Sequence, residues 1–453
     1  MKENKMAVMP VRRLLLNMAW PMALSMLVQA LYNLVDSLFV ARLGESGFVA
    51  LSLVFPVQVL MIAVCVGTGV GFNALLSRYL GMREEEKAVK TTSNGYFIYF
   101  ICWLVFAITG ALFSRPFLHI FSADAQTVEY GAQYLAIVTV GSVGLCLQFA
   151  SERTLQATGD TVRPMIIQSL GAVINLILDP LLIFGIGPFP RLEAAGAALA
   201  TVIGQIIGAV AGILMVRRNK VVRLSFKKFR PSADIAKNIF KIGVPAIFVQ
   251  ALATVMTMGM NYILPFFTAS GVFIQGAYFK LQAFVFMPVN GMNNALIPIV
   301  SFNYGAGNTR RITGVVRFAV FIAVVIMAAG TLIFVAFPSG LLRMFNADAS
   351  VITEGISALR AISVSFVFAG VSIILCAALQ ALGAAVSSLI VSLLRQVVFL
   401  FPFALISGLI DPSAVWFSFL AAEIFSCIAA LLLYRRACSK MLYAHKTAEH
   451  GSR

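Results

Sequence analysis

Four polar side chains lie deep inside long apolar runs: Asp36, Asn175, Asp179 and Thr201. Asp36 falls near the end of a run over 14–41, Asn175 and Asp179 in one over 163–187, and Thr201 early in one over 194–217. Asn175 and Asp179 are one helical turn apart and share a face. If these runs are membrane-crossing helices, a rise of about 1.5 Å per residue puts Asp36, Asp179 and Thr201 roughly 8–12 Å below one interface, with Asn175 one turn from Asp179 in the same layer. Carboxylate, amide and hydroxyl oxygens suit a small hard cation such as Na+. Alternatively, two nearby carboxyls in a low-dielectric site form a coupled pair that holds a proton. A purely structural reading makes Asp36 a helix-end cap and Asp179 the residue before a break at Pro180. Ionisable groups inside a span are costly, and their shared depth on three helices favours function.

Other polar residues read differently. Arg395 and Glu423 fall near the middle of successive runs over 384–409 and 413–436, where an ion pair is the simplest account and contact with a solute the alternative. Lys280, inside 271–302, has no acidic partner of its own; it lines a central cavity, shares Glu423 or is neutral. Glu152 lies near the end of its run, beside Arg153. The 6 cysteines form no CxxC pair and read as small buried hydrophobes. His119, His445 and His450 lie in loops or the tail, and neither HExxH nor GxxxxGK[ST] occurs, so an enzyme or an ATP-driven pump is disfavoured and no cofactor is expected.

The elements that position these residues follow from composition. The chain has 453 residues, 60% hydrophobic and 11% charged, with mean hydropathy +0.93; soluble domains carry roughly 25% charged residues. Runs of about 20 apolar residues each cross a hydrocarbon core as a helix. They predict an all-α membrane protein of twelve transmembrane helices over 14–41, 48–79, 93–115, 127–155, 163–187, 194–217, 236–268, 271–302, 312–338, 351–382, 384–409 and 413–436. The net charge of +16 suggests nucleic acid only until its distribution is seen. Most Lys and Arg fall in alternate connections, notably Arg78 to Lys90 and Arg217 to Lys241, which places both termini in the cytoplasm and excludes nucleic acid as partner. The first run is too long for a signal segment and is a retained helix.

The chain repeats itself. LQATG at 155–159 recurs as LQALG at 379–383, and FSADA at 121–125 as FNADA at 345–349, both 224 residues on. Pro21 and Gly81 map to Pro245 and Gly305 at that offset, while NALL at 73–76 finds NALI at 294–297, implying a small indel. The expected divisions are a first lobe over 1–219, a basic cytoplasmic linker over 220–233, a second lobe over 234–438 and a cytoplasmic tail over 439–453. Six spans per repeat give parallel bundles related by an axis along the membrane normal, with a solute cavity between them and rocking as the access mechanism. Asp36 and Asp179 correspond to Met260 and Phe403, so the ion site is expected in the first lobe alone.

Five strings now carry a resemblance: LYNLVDSLFV at 31–40, LQATGDTVRP at 155–164, NLILDPLLIFG at 175–185, GAALATVIGQ at 196–205 and FNYGAGN at 302–308. In this order and spacing the chain resembles the multidrug and toxic compound extrusion (MATE) family along nearly its whole length. The resemblance implies a bacterial plasma-membrane antiporter, a monomer in the lipid bilayer, that exports cationic or amphipathic organic compounds in exchange for H+ or Na+. It places Asp36, Asn175, Asp179 and Thr201 in the cation or proton site. Some relatives carry acidic coupling residues in the seventh and tenth helices; here the seventh-helix position is Gln250, and the tenth span has only Glu354 near its end. Lys280, in YFKLQ, looks like a basic position of the branch similar to staphylococcal multidrug pumps. The competing function in the same superfamily is a flippase or exporter of a lipid-linked or polar metabolite, which calls for a cavity lined by many basic residues.

Overall fold

The computed structural model describes residues 4–42, 45–222, 224, 229–345 and 348–451, with backbone only at 33, 34, 36–38, 40, 41, 45 and 441–451. The side chain of Asp36, residues 346 and 347 of the FNADA string, and 223 and 225–228 of the basic segment lie outside the described residues. Every regular element among those described is helical. A helix pairs its own backbone groups internally, which hydrocarbon requires.

The first half comprises α1 (Lys5–Val8), α2 (Val11–Ala41), α3 (Glu45–Gly81), α4 (Glu85–Phe121), α5 (Ala125–Val140), α6 (Val143–Ala157), α7 (Val162–Phe184) and α8 (Glu193–Arg217). The second comprises α9 (Ala233–Ile263), α10 (Gly271–Gly305), α11 (Thr309–Ala336), α12 (Pro338–Arg343), α13 (Ala349–Ser363), α14 (Phe366–Ala381), α15 (Ala385–Leu393), α16 (Leu400–Ile410) and α17 (Phe417–Gly451). Ten stretches are long and apolar enough to cross a membrane; α5 with α6, bent 42°, and α13 with α14, bent 43°, are two further broken spans, giving up to 12. The fourth and tenth spans, expected over 127–155 and 351–382, are therefore each broken near the middle. The eleventh is also interrupted, by a π-turn over Leu394–Val398 between α15 and α16. The last helix runs on through the segment expected as a tail.

The repeat is visible in individual bonds. Ser77 Oγ donates to Ala157 O at 3.3 Å, and Ser301 Oγ to Ala381 O at 3.0 Å. Asp160 N–H bonds Leu155 O at 3.1 Å, and Ala384 N–H bonds Leu379 O at 2.8 Å. Gly159 and Gly383 close these two helix ends at φ of +89° and +83°, where a side chain is strained. Both matches keep the offset of 224, so the NALL and NALI pairing is fortuitous and no indel separates Ser77 from its counterpart.

Two compact units emerge, Leu24–Phe240 and Met1–Ala23 with Lys241–Arg453. Their boundaries differ from those drawn at the basic linker, for a physical reason at each end. The chain start is fastened to the second half: Arg311 Nη2 donates to Met6 O at 3.1 Å and Met9 O at 2.7 Å, and Arg311 Nε to Asn303 Oδ1 at 3.1 Å. The linker side stays with the first half, because Val222 and Ile239 are buried beside Phe72 and Tyr99. Ser232 N–H also bonds Asn94 Oδ1, at 2.8 Å.

An added Cβ at Gly383 meets nothing within 4 Å, so its backbone angle alone sets the effect of substitution. Gly383→Ala is expected to lower stability by about 1 kcal/mol, read as a lower Tm in detergent. Gly276→Ala, equally unobstructed but inside α10, should leave Tm unchanged or raise it.

Candidate functional site

In the unit Leu24–Phe240, α6, α7 and α8 pack at short range. Small residues let membrane helices approach closely, and here one close approach joins Gly171 to Gly204. A Cβ at Gly204 would lie 2.7 Å from Gly171 O and 3.3 Å from Asn175 Cβ. This crossing carries Asn175 Nδ2 to 3.1 Å from Thr201 Oγ1, to which it donates. Asn175 Oδ1 is buried and accepts no hydrogen bond among the described residues. One turn further along α7, Asp179 is 0% exposed.

Asn175 and Thr201 form part of the wall of a cavity of about 100 Å³. Gln29 from α2, Gln148 and Glu152 from α6, Gln168 from α7 and Gln205 from α8 also line it. Gln168 Nε2 donates to Gln29 Oε1 at 2.8 Å, and Gln148 Nε2 to Glu152 Oε1 at 2.9 Å. Gln205 Oε1, like Asn175 Oδ1, is a buried acceptor without a donor among the described residues. Oxygen acceptors thus outnumber the donors that meet them, beside a carboxylate. Such a wall favours a cation or a proton over an anion.

Of the residues singled out from sequence, Asn175 and Thr201 are directly bonded, and Asp179 follows Asn175 on α7. Asp36 belongs to α2, with its side chain outside the described residues. Arg395 and Glu423 meet in the other unit, Nε to Oε1 at 3.5 Å. Lys280 does not share Glu423; it is exposed, with its ammonium 6.0 Å from the centre of the Phe345 ring. Gln250 is exposed on α9 and lines neither cavity. Glu354 accepts from Thr268 Oγ1 at the loop side of α13.

Sequence reasoning missed the amide ring and the position of Glu152. The signal was present as helical spacing: Gln148 with Glu152, Thr201 with Gln205, and Gln168 with Asn175 and Asp179 each fall on one face.

A MatE family model matches residues 21–181 and 245–406, two segments that start 224 residues apart and end 225 apart. The FAD transporter of Shewanella oneidensis is 28% identical over 404 residues, covering 89% of each chain. The multidrug export protein MepA of Staphylococcus haemolyticus is 26% identical over 424 residues, covering 92% of each. A solved structure, an outward-facing multidrug resistance MATE family transporter of the MOP superfamily, matches with TM-score 0.91 at 25% identity, over 98% of this chain and 99% of that one.

Thr201→Val keeps the shape of the side chain and removes the acceptor of Asn175 Nδ2. Leaving that amide buried and unmet should cost roughly 1–3 kcal/mol, measured as a lower Tm of the purified protein. An unchanged Tm would mean the bond at the crossing contributes nothing.

Proposed function

Because the chain belongs to the MatE family of membrane transporters, we propose that it is a secondary antiporter that exports amphipathic organic compounds, cations among them, in exchange for H+ or Na+. The observation that carries this reading is the buried Asp179 next to the Asn175–Thr201 pair. A carboxylate shielded from water by hydrocarbon is stable when it holds a proton or a cation, and unstable when bare. A site that must be loaded before it can be buried couples the ion to the conformational cycle, since an empty site resists the change and a filled one permits it. Asp36 is assigned to the same site as the second carboxylate. Glu152, in the cavity that Asn175 and Thr201 line, adds negative charge for the ion or for a cationic solute. The working unit is one chain in a bacterial plasma membrane, with both termini cytoplasmic.

The similarity to a multidrug export protein supports outward movement of organic compounds. The similarity to a FAD transporter supports a second reading, export of a polar aromatic metabolite. One observation favours it: the cavity of the second unit joins the Arg395 guanidinium to aromatic walls. A flippase for lipid-linked saccharide is less well supported, because Arg395 is the single basic residue lining that cavity among the described residues.

The test is ethidium efflux from proteoliposomes with proton and sodium gradients imposed separately. Efflux should follow one gradient, and Asp179→Asn and Asp36→Asn should each abolish it while the protein still elutes as a single monodisperse species. Gradient-driven efflux at the wild-type rate in either variant would sink the assignment of the ion site.

A further inference from the structure

The unit Met1–Ala23 with Lys241–Arg453 holds a cavity of about 210 Å³ that the ion site does not use. Its charged end is built by an irregularity in the helix. Phe399 N–H bonds Leu394 O at 2.9 Å, five residues back instead of four, so the turn bulges where Arg395 and Gln396 stand. Such π-turns recur at functional sites. Here the turn brings both side chains to the cavity.

The ion pair at this end is loose. Arg395 Nε stands 3.5 Å from Glu423 Oε1, beyond the roughly 2.7–2.9 Å of a charge-assisted bond. This is the one polar contact of the guanidinium among the described residues, and Glu423 Oε2 is buried with no donor. An arginine that closes a structural pair engages its two-pronged face. The Arg395 prongs instead remain available. The remaining walls are flat and apolar: Tyr278, Phe279, Phe286 and Phe419 line the cavity. The Tyr278 ring lies 5.3 Å from Phe279 and 5.9 Å from Phe419, centre to centre. Gln282 adds an amide for the edge of a ring.

We infer that this cavity is a binding site for a planar aromatic heterocycle bearing an anionic group. The anion engages the Arg395 guanidinium in place of Glu423, the ring system lies against Tyr278 and the phenylalanines, and Gln282 meets the ring edge. The cavity thereby adds an anion-selective solute site to the transporter, an assignment that rests on the export reading only for what happens to the bound molecule.

Riboflavin 5′-phosphate and riboflavin share one ring system and differ in the anion, so the pair isolates the contribution of Arg395. Binding of each is measured by flavin fluorescence on the purified full chain in nanodiscs of neutral phosphatidylcholine. Wild type should bind riboflavin 5′-phosphate about tenfold or more tightly than riboflavin. Arg395→Gln should erase that preference, while Glu423→Gln, which frees the guanidinium, should enlarge it several-fold. Gln282→Glu keeps the ion pair, changes the ring-edge contact for both flavins and, by its added negative charge, should weaken riboflavin 5′-phosphate more than riboflavin; it decides the matter if Arg395→Gln does not fold. Equal binding of the two flavins by wild type, or a preference that survives Arg395→Gln or Gln282→Glu unchanged, overturns the inference. Ethidium efflux without any flavin preference would remove this site and leave the export reading. Flavin preference without any efflux would do the reverse.

Discussion

Hydrocarbon offers no partner to a polar side chain, so a polar group within a span must meet another helix or a cavity. In the first half this constraint is resolved by backbone proximity. Asn and Thr are short, and their bond at 3.1 Å forms only because α7 and α8 touch at Gly171 and Gly204. Longer amides surround this contact and bond across wider gaps, as Gln168 does with Gln29 on α2. The cavity is thus the space left where three helices converge tightly at one level and diverge beside it.

The repeat governs helix ends more strictly than helix interiors. Ser77 and Ser301 make the same bond, and Gly159 and Gly383 the same left-handed turn. Even Arg83 adopts a φ of +60° where its counterpart is Gly307, at +71°. Interiors have diverged. Met260, opposite Asp36 at the shared offset, is fully buried. Phe403, opposite Asp179, stacks on Phe399 and Phe425 at 5.9 and 5.6 Å in a three-ring cluster. The π-turn takes up one extra residue, which moves the counterpart of Asp179 to Ala404, and Ala404 is no more acidic than Phe403.

Much of this was legible in the sequence. Long apolar runs reveal the spans, because a helix buries its own backbone irrespective of its neighbours. The burial of Asn175 and Asp179 was legible too, since polar residues in such runs have nowhere else to go. The breaks at residues 141–142 and 364–365 were not, because neither interrupts the apolar pattern. Arg311 reads as one more basic residue, yet its bonds to the carbonyls of Met6 and Met9 move the chain start into the other unit. Such contacts, some 300 positions apart, leave no local trace. The amides of the cavity were hidden for another reason: a lone glutamine in a span says little, and only convergence of several helices gives it meaning.

The position of Arg395 explains why the two halves hold different chemistry. At the offset of 224 it corresponds to Gly171, the residue that permits the close crossing of α7 on α8. An arginine at 171 would enter the cavity that Glu152 and Asn175 line. It would also prevent the approach that joins Asn175 to Thr201. Opposite charges about 4 Å apart attract by roughly 4 kcal/mol at a protein-like dielectric, so that arginine would pair with Glu152. In the second half the π-turn opens the helix where the first half closes it. One backbone plan therefore yields a tight oxygen-rich crossing in one bundle and a wider aromatic cavity with a guanidinium in the other. Separating them keeps the oxygen-rich wall and the guanidinium from neutralising each other, which a single shared cavity would not allow.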